Sequence, residues 1–355
     1  MKMLLLSVLS MVFGLEGVTG QEASSTKIHG YVFGDYFYKL AGDSAGNGSQ
    51  YSNVHKKQSA VQFRRMYLYF DHKFNETFSS QFLFEGNDKS IDGNKKHSVF
   101  VKTAFLEWKN IFPNHTLAMG LIPTPTWSGP GSQSEKAWNY RPIEKTIADF
   151  RGLASASDMG IALRGKALSE KLGYTLMWGN GSGQSPEDNK SKKLYGNVNY
   201  KPAQGLVVEL YTDYEWGLFN KAMTLRNVEK NLYKAFVSYE TERFAAGVEA
   251  FRQIQNHVTD STDVKPFGIS FFARAPLTKD KLSAFARVDR YNPDTEITKS
   301  GYNETFLTLG LDYMPLKNIH FMPNLWMNSF AKKTSSVAGR DADVVARITF
   351  FYIYK

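Results

Sequence analysis

Cysteine is absent from the 355 residues, so no disulfide framework holds this chain together. Whatever stabilises it is a packed core, a metal or a closed sheet. Long apolar runs are also missing. The longest, from Met3 to Leu15, is too short for a transmembrane helix, and the mean hydropathy of -0.37 fits that lack. Helical periodicity is nearly absent outside the N-terminal stretch and the neighbourhood of Ile143 to Phe150. Histidines at 29, 55, 72, 97, 115, 257 and 320 are scattered without a His-x-x-x-His pair, so zinc has no spacing in its favour. No Gly-x-Ser-x-Gly elbow or Walker loop occurs, and "GNGSG" reads as a turn. The residues thus point to no catalytic centre, no metal and no cofactor. They leave a membrane β-barrel open, because its strands are apolar only at every second position.

What is present starts with "MKMLLLSVLSMVFGLEGVTGQ", which has one early charge at Lys2 and small residues at Val18-Thr19-Gly20. It reads as a secretory signal peptide covering residues 1–20, with 21–355 as the mature domain. That length suits two ordinary domains or one large barrel. The formal charge of +9 favours anionic partners such as nucleic acid, lipopolysaccharide phosphates or small anions. An aromatic content of 14%, with 19 Tyr and 26 Phe, favours strands and interfaces over nucleic-acid binding.

From residue 27 onward, short segments alternate apolar and polar positions. "RRMYLYFDH" puts Met66, Leu68 and Phe70 on one face and Arg65, Tyr67, Tyr69 and Asp71 on the other, the period of two of a sheet with unlike faces. "GLVVELYTDY" and "ETFLTLGLDY" repeat the pattern. Such segments number about sixteen, and the connections between them alternate between very short, as in "NET" and "LKN", and longer polar ones, as in "GNDKSIDGNKKH". This asymmetry belongs to outer-membrane barrels. The longest connection, from about Pro123 to Asp158, carries Trp127, Trp138, Tyr140 and Phe150. A loop of that length is usually functional or disordered, and its aromatics predict that it packs, with the barrel lumen as the available space.

The stretch "LAMGLIPTPTW", followed by a long loop and "SASDMGIALRGKALSEKLGYTLMWGNGSG", resembles the phosphate-selective porin family of bacterial outer membranes (the porin O/P type), particularly its members in Bacteroidetes-like bacteria. "KIHGYVFGDYFY", "FRRMYLYF", "RVDRYNPDT" and "KNIHFMPNLWMN" are similar to stretches of such porins, and the likeness covers essentially the whole mature chain. It implies an all-β, 16-stranded antiparallel transmembrane β-barrel, commonly a homotrimer, with the third external loop folded inward. It implies passive transport of small hydrophilic solutes, with a tilt toward anions and possible phosphate preference. The long loop carries Lys136, Arg141, Lys145 and Arg151, but also Glu135, Glu144 and Asp149, so phosphate preference does not transfer.

Charged side chains at a water-filled constriction filter ions electrostatically. Alternation points Arg65, Arg164, Lys166, Lys234, Arg287 and Arg347 into the lumen, with Glu107, Glu209, Asp213, Asp289 and Asp312 on the same side. Arg141, Lys145, Arg151 and Arg164, on or beside the long loop, are the foremost constriction candidates, with Lys166, Arg65, Arg287 and Arg347 behind them. The bland alternative is a solvated ladder of ion pairs that rigidifies the wall. Trp108, Trp178, Tyr200, Tyr239 and Tyr313 sit where an aromatic girdle belongs, with outward faces expected to be apolar and inward faces polar. Asp289, Asn292, Asp294 and Glu296 offer oxygens to calcium, although an ordinary polar turn is the better account. In the final segment, Ala346, Ile348, Phe350, Tyr352 and Tyr354 face lipid while Arg347 and Thr349 face the lumen, so that it pairs with the first strand; the porin resemblance further implies that its aromatic end is a signal to the barrel-assembly machinery, although here Lys355 follows the final aromatic. Expected partners are outer-membrane lipid and lipopolysaccharide, small anions or other hydrophilic solutes, and like subunits, with no nucleic acid. The other classes weighed are a barrel phospholipase, which needs Ser, His and Asn or Asp on one wall, and a secreted all-β binding protein.

Overall fold

The computed structural model describes residues 24–42, 51, 54–126, 146–153, 155–187, 190–219, 227–241, 244–259, 262–279, 281–296 and 301–355, without the side chains of 217–219, 227–228, 257–259 and 262. The proposed signal peptide lies outside them. Alternating sequence becomes strand throughout: β1 (Ser25–Ala41), β2 (Ser59–Lys73), β3 (Phe78–Asn87), β4 (Phe100–Lys109) and β5 (His115–Pro123) precede a one-turn helix, α1 (Ile147–Phe150). There follow β6 (Ser157–Ala167), β7 (Leu172–Gly179), β8 (Lys192–Tyr200), β9 (Leu206–Phe219), β10 (Asn227–Glu240) and β11 (Ala245–Thr259). The wall finishes with β12 (Thr262–Val264), β13 (Phe267–Thr278), β14 (Leu282–Asn292), β15 (Tyr302–Leu316), β16 (Ile319–Lys332) and β17 (Asp343–Tyr354).

Apart from β12 and β13, each strand pairs antiparallel with the next in sequence, and β17 pairs with β1, from Gly30 opposite Tyr354 to Ala41 opposite Val344. The sheet is therefore closed and has no free edge. β12 and β13 both pair with β11 and form one wall strand interrupted at Lys265 and Pro266, where proline has no N–H to give the ladder. The barrel thus has 16 strands. The connections 74–77, 110–114, 168–171, 201–205, 241–244, 279–281 and 317–318 are short and share one end, which also holds the start of β1 and the end of β17. Asn75 tightens the first of them by accepting from the N–H groups of Thr77 at 2.9 Å and Phe78 at 2.7 Å.

At the seam, Gly30 and Gly34 lie beneath aromatic rings of β17. A Cβ on Gly34 would stand 2.4 Å from Phe350 Cζ and 2.5 Å from the Gln62 carbonyl oxygen. The Tyr354 hydroxyl reaches past Gly30 to donate to the Tyr67 carbonyl at 2.9 Å, which ties β17 to β2 across β1.

The outward face is apolar as expected: Ile28, Leu176, Leu210, Val237, Ile269, Leu309 and Ile348 are all exposed there. Trp178, Tyr200, Tyr239 and Tyr313 are exposed near strand ends, with Tyr200 and Tyr239 at the short-turn rim and Trp178 toward the other. The inward face departs from expectation. It carries charge, but it also buries Phe33, Phe236, Phe272, Phe285, Met322 and Phe351 in one cluster and Phe37, Phe306, Trp326 and Val345 in another. A period of two distinguishes the two sides of a strand; it does not say that the inner side is wet.

Two bulges alter the alternation. Between β1 and β2 the register shifts so that Phe33 faces Arg65 and Gly34 faces Phe63, leaving Arg64 as the extra residue. Between β3 and β4, Leu83 faces Thr103 and Phe84 faces Val101, leaving Lys102. An extra residue turns two neighbours to one side, and both insertions add an inward cation.

Candidate functional site

The described ends of the longest connection make polar contacts with inner-wall side chains. Asn197 on β8 donates to the Pro125 carbonyl at 3.4 Å, and the Thr126 hydroxyl donates to Tyr211 on β9 at 2.7 Å. Lys234 on β10 donates to the Thr126 carbonyl, and Gln253 on β11 donates to the Leu153 carbonyl at 3.0 Å. α1 begins at Thr146, whose hydroxyl accepts the Asp149 N–H at 3.3 Å, a normal N-cap. Ile147 and Ala148 are buried in the cluster that includes Tyr211, Leu232 and Phe251. The Phe150 ring packs at 5.4 Å from Phe306 and 6.3 Å from Trp326. Arg151 pairs with Glu304 on β15 at 2.5 Å and lies 4.4 Å from the Tyr291 ring centroid.

Beneath this segment the charges are paired and dry. Lys234 lies 3.3 Å from Glu209 and 3.8 Å from Glu249, with every side chain at 0% exposure. Arg287 holds Asp289 through two donors, at 2.8 and 2.7 Å, also at 0%, and Ser270 donates to the same carboxylate at 2.5 Å. Lys193 pairs with Asp213 at 3.1 Å. Arg347 donates to Asn324 at 2.8 Å and to the Tyr51 hydroxyl at 3.3 Å, and Tyr51 donates in turn to Asp35 at 3.1 Å. Tyr51 comes from the first long connection, and burial pushes its phenol well above the usual range, so it stays a neutral donor. Fully buried ion pairs gain little net energy, but removing one partner costs about 3–5 kcal/mol. Such pairs fix geometry.

The β2–β4 side differs. Glu85 is shared by Arg65 at 3.2 Å and Lys102, and these two cations keep 15% and 16% exposure. Lys102 also donates to the Tyr67 hydroxyl at 3.1 Å. Nearer the short-turn end, His29 meets Asp71 at 2.8 Å, with 28% and 39% exposure. Arg164 holds Glu107 at 2.6 Å, with Glu107 at 20%. Water reaches this arc of the inner wall.

Arg65, Arg164, Arg287, Arg347 and Lys234 all point inward as alternation requires. Each meets a different carboxylate: Arg65 meets Glu85, Arg164 Glu107, Arg287 Asp289, Arg347 Asp35, and Lys234 Glu209. Lys166 has inward parity but stands at the short-turn rim, paired with Glu170 at 3.0 Å and 58% exposed. Arg141 and Lys145, with Lys136, lie outside the described residues. Sequence reasoning missed Arg64, which meets Asp88 at 3.1 Å, and Lys102, because a bulge inverts parity without a sequence signal. It also missed Glu85, the partner of two cations. Of the oxygens weighed for calcium, Asp294 Oδ1 accepts the N–H groups of Lys265 at 3.0 Å and Glu296 at 3.2 Å, and Asn292 Oδ1 accepts that of Asp294 at 3.1 Å, while Asp294 Oδ2 is buried without a hydrogen bond. These bonds are those of a polar turn, and no group of three or more metal-binding side chains occurs among the described residues.

No family model matches the chain, so the resemblance to phosphate-selective porins rests on the residues that carry it. No curated protein matches either. Solved structures do. The outer membrane channel DcaP of Acinetobacter baumannii superposes with a TM-score of 0.70 at 11% identity, covering 96% of this chain and 100% of that one. An anion-selective porin from Comamonas acidovorans gives 0.65 at 12% identity, covering 93% and 100%. OmpF of Salmonella typhi, in complex with daunomycin, gives 0.59 at 13% identity, covering 92% and 97%. At such identities the likeness establishes a porin-type fold and nothing finer.

Proposed function

We propose that the protein is a porin of a bacterial outer membrane, through which small hydrophilic solutes diffuse passively along the β2–β4 side of the lumen. One observation carries this reading: the closed wall has an apolar outer face and an inner face of charge, with water reaching Arg65, Lys102, Glu107, His29 and Asp71. A closed barrel satisfies every backbone group in lipid, and sixteen strands are enough to leave an aqueous channel. On this reading the third long loop folds inward and narrows the pore, with the contacts of Thr126, α1 and Arg151 as its anchors and Arg141 and Lys145 on its span. Residues 1–20 act as the export signal. β17 closes the barrel and presents the terminal aromatics to assembly machinery, and three copies associate, as the family resemblance implies.

On selectivity we assign a weak anion tilt and no phosphate specificity. The net charge of +9 supports the tilt, while the pairing of Arg65 and Lys102 with Glu85, and of Arg164 with Glu107, argues against a bare cationic ladder. An enzymatic role is not part of this reading. The described histidine ring nitrogens meet Asp71, Asp312, Tyr174, Thr26 and the Pro113 carbonyl, which is not the serine partnership a barrel hydrolase needs. Purified protein that shows heat-modifiable electrophoretic mobility should conduct in planar bilayers, and a folded sample without conductance would sink the reading.

A further inference from the structure

The outer wall carries a feature that a passive channel does not use. Across β7 to β13 an apolar groove of about 770 Å³ opens outward, within the roughly 300–1,000 Å³ typical of small-molecule sites. Its floor is made of short side chains, Gly196, Ala235 and Ala250, and Tyr233, Arg252 and Phe267 border it. In register, Tyr233 faces Arg252 and Arg252 faces Phe267. Arg252 is exposed and outward-facing, and so is Arg290 on β14, opposite Ile269. Among the described residues neither arginine forms an ion pair; Arg290 donates to the Thr305 hydroxyl. Lys265 stands two positions before Phe267 and is compensated by Glu296 at 3.0 Å.

Height explains the pairing of groove and cations. Arg252 stands seven residues beyond Ala245 and Arg290 eight beyond Leu282. At about 3.3 Å per residue and a tilt of about 40°, both lie roughly 18–20 Å above the short-turn rim. The apolar band of such barrels is about 25 Å tall, so both arginines sit toward its far edge, where a long side chain snorkels to the headgroups. An outward cation there is costly unless an anion meets it.

We infer that this groove is a binding site for a phosphorylated, acylated lipid of the outer leaflet, with an acyl chain along Gly196, Ala235 and Ala250 and a headgroup phosphate between Arg252 and Arg290. The site rests on the membrane placement proposed above. Guanidinium groups suit phosphate because they donate in a planar fork, and small floor residues leave room that a Leu or Val would fill.

The test uses the intact barrel in mild detergent with hexa-acylated, bisphosphorylated lipid A as probe and native mass spectrometry as readout. Wild type should retain the lipid. Retention should fall about tenfold in R252Q/R290Q and in A235L/A250L, and the fully dephosphorylated lipid should be retained no better by wild type than the bisphosphorylated form is by the arginine variant. Equal retention by all three proteins, or by both lipids, overturns the site. Loss of a multimer in A235L/A250L with lipid retention unchanged assigns the groove to a second copy and also overturns it. Conductance of the same samples is read separately. A conducting protein without lipid retention removes this site alone, and a lipid-retaining protein without conductance removes the channel reading alone.

Discussion

The inner wall has two arcs built from the same residue types. On the β9–β14 arc, Lys234, Glu209, Glu249, Arg287 and Asp289 are fully buried under Thr126 and α1. On the β2–β4 arc, Arg65, Lys102, Glu107 and Asp71 keep contact with water. Burial decides what each charge does. In the dry arc a charge is a fixture that holds the connection between β5 and β6, and its energy is felt in stability. In the wet arc a charge shapes the potential along the passage and is screened by salt.

The largest expected effect comes from cutting the wall at the β1–β17 seam, where it closes. Deleting Phe350–Lys355 removes Phe351 from the inner aromatic cluster and strips five β1 residues, Gly30 to Gly34, of their partners. The protein should fail to show a heat-modifiable band; a truncated barrel that still folds and conducts would contradict the seam. Next, Lys234→Met removes the cation that Glu209 and Glu249 share and should lose about 3–5 kcal/mol in urea unfolding. An unchanged midpoint would mean that the dry arc is not dry.

A smaller loss is expected from Gly34→Val, because the new side chain collides with Phe350 and the Gln62 carbonyl. About 1–3 kcal/mol is the usual cost of such overpacking. Gly93, where a Cβ meets nothing within 4 Å, is the control: Gly93→Val should leave the midpoint in place, and equal losses at both sites would remove the seam from the explanation.

The architecture was legible from the sequence for a definite physical reason. Period-two alternation in "RRMYLYFDH" or "ETFLTLGLDY" is imposed by the pleat, and the short connections return the chain to one rim. The terminal strand was legible in the same way, with Arg347 and Thr349 inside and Ile348 and Phe350 outside. The lining was legible only in part. Alternation placed Arg287 and Lys234 inward, but whether an inward charge meets water depends on what covers it, and α1 and Tyr51 come from elsewhere in the chain. Arg64 and Lys102 were hidden by bulges, which have no composition of their own, and Glu85 became important only through the cations it meets.

Reversal potential across a salt gradient, read from single channels so that only folded molecules count, tests the division between the arcs most directly. A single charge at about 4 Å in water is worth about 1 kcal/mol, a factor of about five in local ion ratio. Lys102→Gln should therefore shift the permeability ratio toward cations by up to about fivefold. The double variant R287Q/D289N, which removes a buried pair without leaving a lone charge, should keep the wild-type ratio. A shift in the double variant with none in Lys102→Gln would place the filter on the dry arc and contradict the account.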